Sequence, residues 1–357
     1  VKKILIICDA FNERGGVEKI VALLANHYSA FNLVKIAVRF KLSKDHPYPL
    51  EESVDVLSCG MHKRGSRNKI VKIFSFLSYM VWVRKIINKF QPDVVLCNGA
   101  GVATLTIISA SEKYKEKIIV CDHNKFENAA PLTYFLRGIA YRRAKHIISL
   151  TQEDLPKYKA IGQASCIYNP VIPPKRPVFS CLESKTVLAM GRLDAQKGFD
   201  LLIKAWAIVN AKHPDWTLKI VGDGREKNKL QELIAQSGLE QSVHMEPSTS
   251  NVFLKFTEAS LFVLSSRYEG FCLVMIEAMS AGLPVVAFDC QTGPKEVLST
   301  GGGFLVASED YLGLAKMISH YIESPQIWKD LSLKSIETSK RFSLSRYLFE
   351  MDEIILK

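Results

Sequence analysis

Two doubly wound α/β domains of similar size are what this sequence predicts, and three observations predict them. Apolar runs of four to eight residues alternate with helical patterns, the mark of βαβ units around a buried parallel sheet. A proline-rich stretch breaks the alternation near the middle of the chain. Behind it the alternation restarts. The 357 residues accommodate about two domains at ~100–200 residues each.

In the first half, Lys3–Cys8 (KILIIC), Val34–Phe40, Asp93–Cys97, Ile118–Cys121 and His146–Leu150 read as strands. Gly16–Ala30, Asn68–Phe90 and Val102–Glu112 read as the helices between them. Asn169–Pro177 holds four prolines in nine residues. Proline lacks the amide hydrogen that helices and central strands need, so this stretch is the linker. Strands follow at Thr186–Met190, Thr217–Val221, Val243–Glu246, Leu261–Leu264 and Pro284–Ala287, with helices at Phe199–Asn210, Glu226–Ser237 and Leu273–Ala281. The chain closes on helical stretches at Tyr311–Glu323, Gln326–Lys340 and Leu344–Leu356. The expected organisation is an N-terminal domain over 1–170 and a C-terminal domain over 171–340. The final helix, about 341–357, is expected to pack back on the first. Ligands of open α/β sheets bind beyond the carboxyl ends of the strands, which puts the expected site in a cleft between two facing domains.

The hydrophobic share of 48% and charged share of 23% exclude disordered and fibrous classes. The net charge of +11 is unevenly distributed: residues 1–170 carry 26 Lys+Arg against 14 Asp+Glu, and the rest carry 21 against 22. A basic half suits nucleic acid, anionic lipid or a phosphorylated substrate. No helix-turn-helix, RNA-recognition or zinc-finger pattern is present, so nucleic acid is not the expected partner. The eight cysteines form no C-x-x-C pair and read as buried thiols in a reducing cytosol. Val1 to Cys8 already reads as a strand, so no signal peptide is expected ahead of it. The longest uncharged apolar stretch of the basic half, Ile73–Val83, is shorter than the ~20 residues of a bilayer span. A soluble or peripheral cytoplasmic protein is expected.

Four constellations carry chemistry. Gly191–Phe199 (GRLDAQKGF) follows a strand and opens a helix, and its cations Arg192 and Lys197 suit a diphosphate beside a helix N-terminus. Such a loop can equally be a solvated connection. Ser265–Met279 (SSRYEGFCLVMIEAM) holds Glu269 at a loop tip and Glu277 two turns into an apolar helix. Carboxylates accept hydrogen bonds from paired hydroxyls, as on a sugar or ribose, and a structural ion pair is the alternative. Asn12–Glu18 (NERGGVE) gives a glycine turn before the first helix, and it is not a dinucleotide fingerprint. Cys121–Asn124 (CDHN) ends a strand, with His123 as a cleft residue or a structural one and Asp122 as its possible orienter.

Together these pieces resemble family 4 of the glycosyltransferases, built on the fold called GT-B: two Rossmann-like domains facing across a cleft. The resemblance spans both halves. It is strongest at GRLDAQKGFDLLIKAW (191–206), VGDGRE (221–226) and SSRYEGFCLVMIEAMSAGLPVVAFD (265–289), where Glu269 and Glu277 form the family's E-x7-E signature. It implies that Arg192 and Lys197 hold the donor's diphosphate, that Glu277 binds the ribose, and that Glu269 contacts the donor sugar's hydroxyls. It further implies that backbone N–H groups of Phe271, Cys272 and Leu273 cap the phosphates or sugar. Gly16 matches the glycine loop near the diphosphate, and His123 falls near the reacting sugar. Cys272 departs from the usual Gly, Pro or Ser. His244–Asn251 (HMEPSTSN), where base contacts are often placed, is unlike the usual pattern.

The implied reaction retains anomeric configuration. It moves a hexose or N-acetylhexosamine from a nucleotide sugar, with UDP the expected nucleotide, to a lipid-linked glycan or lipopolysaccharide acceptor. No D-x-D occurs in the chain, so no metal or other cofactor is expected. From Val56 to Pro92 there is no acidic residue, while basic and aromatic residues interleave. Residues 61–90 therefore read as a site for an anionic inner-membrane surface, on its cytoplasmic face, or as a core helix with a basic outer face. Arg137, Arg142, Arg143 and Lys145 read as a second basic cluster. A nucleotide-sugar epimerase and a non-catalytic sugar-nucleotide-binding subunit are the competing functions.

Overall fold

The structure, a computed structural model, describes residues 1–12, 15–42, 46, 48–62, 69–123, 125–174 and 178–357, with the side chains of 69–73 and 128 outside the description. The chain divides into two compact units, Val1–Tyr168 with Phe349–Lys357, and Asn169–Leu348. The return to the first unit thus falls inside the last helix, at Phe349, and not ahead of it.

In the first unit, strands β1 (Lys3–Cys8), β2 (Leu33–Phe40), β3 (Asp55–Met61), β4 (Val94–Asn98), β5 (Ile118–Cys121), β6 (His146–Ser149) and β7 (Ala164–Cys166) form one parallel sheet. Its order is β3-β2-β1-β4-β5-β6-β7. The helices are α1 (Gly16–Ser29), α2 (Lys69–Phe90), α3 (Ala100–Ser109), α4 (Glu112–Lys115), α5 (Pro131–Ala140) and α6 (Leu155–Lys159). The central strands β1, β4 and β5 are almost wholly buried, which is why they are nearly unbroken apolar runs. The single helix expected over Val102–Glu112 is interrupted: Ala110 is extended, and a separate short helix, α4, starts after Ser111. Strands β3 and β7 and helices α5 and α6 are additional to the elements expected from sequence.

Parallel crossovers are right-handed. The steps β3→β4, β4→β5 and β5→β6 all run the same way across the sheet, so α2, α3 and α5 share one face, and α3 packs against both of its neighbours. The step β1→β2 runs the other way and puts α1 on the opposite face.

The second unit has β8 (Thr186–Met190), β9 (Thr217–Val221), β10 (Val243–Glu246), β11 (Leu261–Leu264), β12 (Val285–Asp289) and β13 (Gly303–Ala307), in parallel order β10-β9-β8-β11-β12-β13. Its helices are α7 (Phe199–Lys212), α8 (Lys227–Gln236), α9 (Val252–Thr257), α10 (Leu273–Ser280), α11 (Pro294–Val297), α12 (Tyr311–Ile322), α13 (Trp328–Ser339) and α14 (Leu344–Ile355). The last turns of α14 belong to the first unit, where Asp352 meets His27 of α1 at 3.4 Å. Trp206 of α7 fills the second core and satisfies its indole N–H by donating to Ser242 Oγ at 3.2 Å.

Each sheet reverses its strand order once, between β1 and β4 in the first and between β8 and β11 in the second. These switch points leave a crevice at the carboxyl ends of the strands, the usual ligand position of the fold.

Candidate active site

The second switch point is built from three loops in backbone contact. The loop after β8 starts at Gly191, whose N–H donates to Val221 O at 3.0 Å; Leu193 N–H donates to Asp223 O at 2.9 Å. A Cβ on Gly222 would lie 1.9 Å from Gly191 O, and one on Gly224 would lie 2.3 Å from Leu193 O. Only glycine allows that approach, which accounts for both glycines of VGDGRE. At the other end of the loop, Gly198 has φ +62°, and a Cβ there would meet Ser265 O at 2.1 Å.

Arg267 ties the loops together. Its guanidinium holds Asp200 in a bidentate pair, both bonds at 2.8 Å, and also donates to Ala195 O at 2.7 Å. Its Nε reaches Glu309 at 3.2 Å. The Arg267 N–H donates to Gln196 O at 2.8 Å. A planar fork suits this bidentate role better than a lysine does. The hydrogen bonds with Arg267 hold the Asp200 carboxyl below its usual range.

Inside this frame Lys197 Nζ lies 2.7 Å from Glu269 Oε1, and both side chains are largely buried. Burial alone pulls the lysine down, but the Glu269 charge and hydrogen bond, helped by Cys272 and Asp194, outweigh it and hold the ammonium above its usual range. Ser266 Oγ donates to the same Glu269 oxygen at 2.6 Å. Thr292 Oγ1 donates to the Glu269 carbonyl. The cation expected at the diphosphate and the carboxylate expected at the sugar therefore touch each other. Arg192 differs: its side chain is 60% exposed, and its Nε pairs with Asp194 at 2.8 Å.

Glu277 is buried on α10 between Ile276 and Ala278, which are fully buried. Phe271 and Cys272 are buried at the start of α10. Of the three backbone amides expected to face a ligand, that of Leu273 already donates to Phe271 O at 3.0 Å. Burial pushes the Cys272 thiol well up, with Glu269 adding to the effect, so it is an inert thiol in this frame.

At the first switch point Asp9, just after β1, pairs with Arg39 at 3.3 Å, and the side chains joined at the ends of β4 and β5 are neutral. His123 follows β5 and is buried; its Nε2 lies 2.9 Å from Asn98 Oδ1 at the end of β4. Asn98 Nδ2 donates to Ile7 O at 3.4 Å, which fixes the amide with its oxygen toward the ring. His123 is thereby an Nε2–H donor with Nδ1 left as the acceptor. Burial lowers its pKa to about 4. The partner that the adjacent Asp122 was expected to supply is thus Asn98. Asp122 is committed elsewhere, to Arg137 at 3.3 Å, with both side chains 1% exposed. Arg137 also donates to Phe126 O at 2.7 Å and stacks on the Phe126 ring. It is therefore no part of a surface basic cluster, because its charge is neutralised in the core. Gly16 is exposed and opens α1, with Gly15 as its N-cap. Glu13 and Arg14 of that loop, like Asn124 beside His123, lie outside the described residues.

Asn98 and Arg267 are the residues that sequence reasoning missed. Asn98 had a signal: it is the polar end of an apolar strand, VVLCN, paired in register with Cys121. Arg267 stood inside the quoted motif, but its partners lie 42 and 67 residues away.

Comparison with known proteins gives a consistent answer. Residues 175–341 match the family described as glycosyl transferases group 1. The chain is 27% identical over 365 aligned positions to the amylovoran biosynthesis glycosyltransferase AmsD of Erwinia amylovora, covering 99% of both chains. It is 30% identical over 283 positions to an uncharacterized glycosyltransferase of Haemophilus influenzae, covering 76% of this chain and 79% of that one. It is 26% identical over 348 positions to an N-acetylgalactosamine-N,N'-diacetylbacillosaminyl-diphospho-undecaprenol 4-alpha-N-acetylgalactosaminyltransferase of Campylobacter jejuni, 92% of each chain. Among solved structures, Anabaena Alr3699/HepE in complex with UDP and glucose superposes with a TM-score of 0.79 at 19% identity over the whole of both chains. The fold is that of the GT-B glycosyltransferases, and the chain belongs to the group 1 glycosyltransferase family.

Proposed function

We propose that this enzyme transfers a hexose or N-acetylhexosamine, with retention, from a UDP-sugar to a lipid-linked glycan or lipopolysaccharide acceptor in surface-polysaccharide biosynthesis. The observation that carries the reading is the buried Lys197–Glu269 pair at the second switch point, with Arg192 exposed on the same loop. It combines groups for a diphosphate and for sugar hydroxyls in one place. The relatives support the class: one is named for amylovoran biosynthesis, one for a diphospho-undecaprenol-linked substrate. The HepE structure holds UDP and glucose.

In the proposed step the bond between the anomeric carbon and the diphosphate oxygen breaks, and the electron pair leaves with the diphosphate. The acceptor hydroxyl attacks from the same face, and its proton passes to the departing phosphate. Arg192 and Lys197 stabilise the charge growing on the diphosphate, a role in which one lost donor typically costs about 10²–10³ in rate. Neutral His123 offers Nδ1 to a hydroxyl of the reacting sugar. Glu277 accepts from the ribose and Glu269 from the donor sugar. Phe271, Cys272 and Gly16 contribute backbone groups near the phosphates. The two cations take the place of a metal, so activity is expected to survive a chelator. The enzyme is proposed to work at the cytoplasmic face of the inner membrane.

Donor turnover without acceptor tests the reading. A transferase releases free sugar slowly, an epimerase interconverts the donor, and a binding subunit does neither. A thermal-shift panel of UDP-, GDP- and ADP-sugars identifies the base, because a bound donor raises apparent stability. Inverted product stereochemistry by NMR would overturn retention.

A further inference from the structure

The face of the first unit made by α2, α3 and α5 carries apolar side chains that the core does not use. Helix α2 is two-sided. Tyr79, Val83 and Ile87 are buried in the core, while Phe74, Leu77 and Val81, spaced along another face, are 52–65% exposed. Helix α5 repeats the arrangement: Leu132, Phe135 and Ile139 are 60–67% exposed. Positions i, i+3 and i+7 lie on one stripe of a helix, so each helix presents an apolar stripe to the outside. Between them α3, in contact with both, exposes Ile108. Contiguous exposed apolar patches mark interaction surfaces, whereas scattered single residues do not.

Charge identifies the occupant. Arg84, Lys85 and Lys89 are exposed at the end of α2, and Arg142 is exposed just after α5. No acidic residue occurs from Val56 to Pro92 or from Asn128 to Gln152. A second copy of this face would bring like charges together. An anionic bilayer complements both features, because apolar side chains enter the acyl boundary and cations meet the headgroups. No described helix is long and apolar enough to cross a membrane, so the contact is interfacial.

We propose that the α2–α3–α5 face docks on an anionic phospholipid bilayer, with the stripe of α5 inserted beside that of α2. This deepens the functional reading by naming the surface on which a lipid-linked acceptor is met, and it rests on that reading for the acceptor alone. It differs from the sequence expectation by adding α5 and by removing Arg137 from the contact.

The test is flotation of the full chain with phosphatidylglycerol or phosphatidylcholine vesicles at about 0.1 M and about 0.5 M salt, a range over which surface charge becomes screened. Wild type is expected to float with phosphatidylglycerol and to lose most binding at high salt. Leu132→Ser/Phe135→Ser/Ile139→Ser is expected to bind at least about tenfold less. Arg84→Glu/Lys85→Glu/Lys89→Glu is expected to lose only the salt-sensitive part. All three positions of the serine variant are on the surface, so its unfolding temperature and lipid-free donor hydrolysis should match wild type. Donor hydrolysis lost in wild type itself would sink the transferase reading while leaving the docking result standing. Equal vesicle binding by wild type and the serine variant would overturn the proposal. So would binding to phosphatidylcholine as strong as to phosphatidylglycerol. A lipid-free dimer that the serine variant makes monomeric would assign the face to a second copy instead.

Discussion

The two switch points occupy the same topological position in their sheets, yet the groups buried in them differ in charge. At the second, Lys197, Glu269, Arg192 and Arg267 gather formal charges, and the buried cation is held protonated. At the first, a buried imidazole with its pKa pushed down to about 4 is paired to a neutral amide. The formal charges around it are paired off, Asp122 with Arg137 in the core and Asp9 with Arg39. One fold therefore supplies two kinds of grip. The charged one suits a leaving diphosphate, and the neutral one suits hydroxyls that must be held without being ionised.

The sharpest way to break this contrast is at Lys197. Lys197→Ala should lower donor turnover by about 10²–10³ and should also destabilise the fold by about 3–5 kcal/mol, because Glu269 is left as a buried unpaired charge. Urea denaturation of Lys197→Met, Glu269→Gln and the double variant separates the two effects. The double variant should recover much of the stability and none of the activity. Additive losses would show that the pair is not coupled.

At the neutral switch point the handle is pH. His123 binds a proton less readily when folded than when unfolded. Its contribution to stability is thus complete above about pH 6.5 and is lost as pH falls toward 4, by about 3 kcal/mol in all. Denaturant midpoints at pH 7 and pH 4.5 should differ less in His123→Gln than in wild type. Asn98→Asp places a carboxylate against Nε2 and should raise the imidazole pKa. Turnover should then change between pH 6 and 8 in that variant, where His123 of wild type does not titrate. A His123 proton titrating near pH 6.5 in wild type would remove the contrast.

Smaller effects test the exposed and bracing positions. Arg192→Ala should lower turnover at least about tenfold while leaving the unfolding temperature unchanged, because the side chain is mostly in solvent. Arg267→Lys loses the fork to Asp200 and should cost about 1 kcal/mol, read from the unfolding midpoint.

Much of the charged switch point was legible in sequence, and little of the neutral one was. Arg192, Lys197, Glu269 and Glu277 sit in contiguous motifs whose charges follow a strand and precede a helix, so chain proximity and spatial proximity coincide. Asn98 and His123 are brought together only by register between β4 and β5. Arg137 reads as part of a basic cluster because a basic residue near others looks solvated. Its burial depends on Asp122, 15 residues away. Among the elements, β7 has three half-buried residues and β3 carries Ser58 and Gly60, so neither shows a clear apolar alternation. Helix α5 was missed because its apolar stripe faces outward and its inward face holds a charge.

The glycine contacts of the second unit have a consequence for how this site can vary. Gly198, Gly222 and Gly224 let three loops meet backbone to backbone, with the Arg267 side chain as a brace across them. Ser248 is exposed and meets Asp223 through its backbone N–H at 2.9 Å, so its side chain can be exchanged without loss of that bond. The frame is set largely by atoms that glycine lacks, which leaves exposed side chains at its edge free to vary.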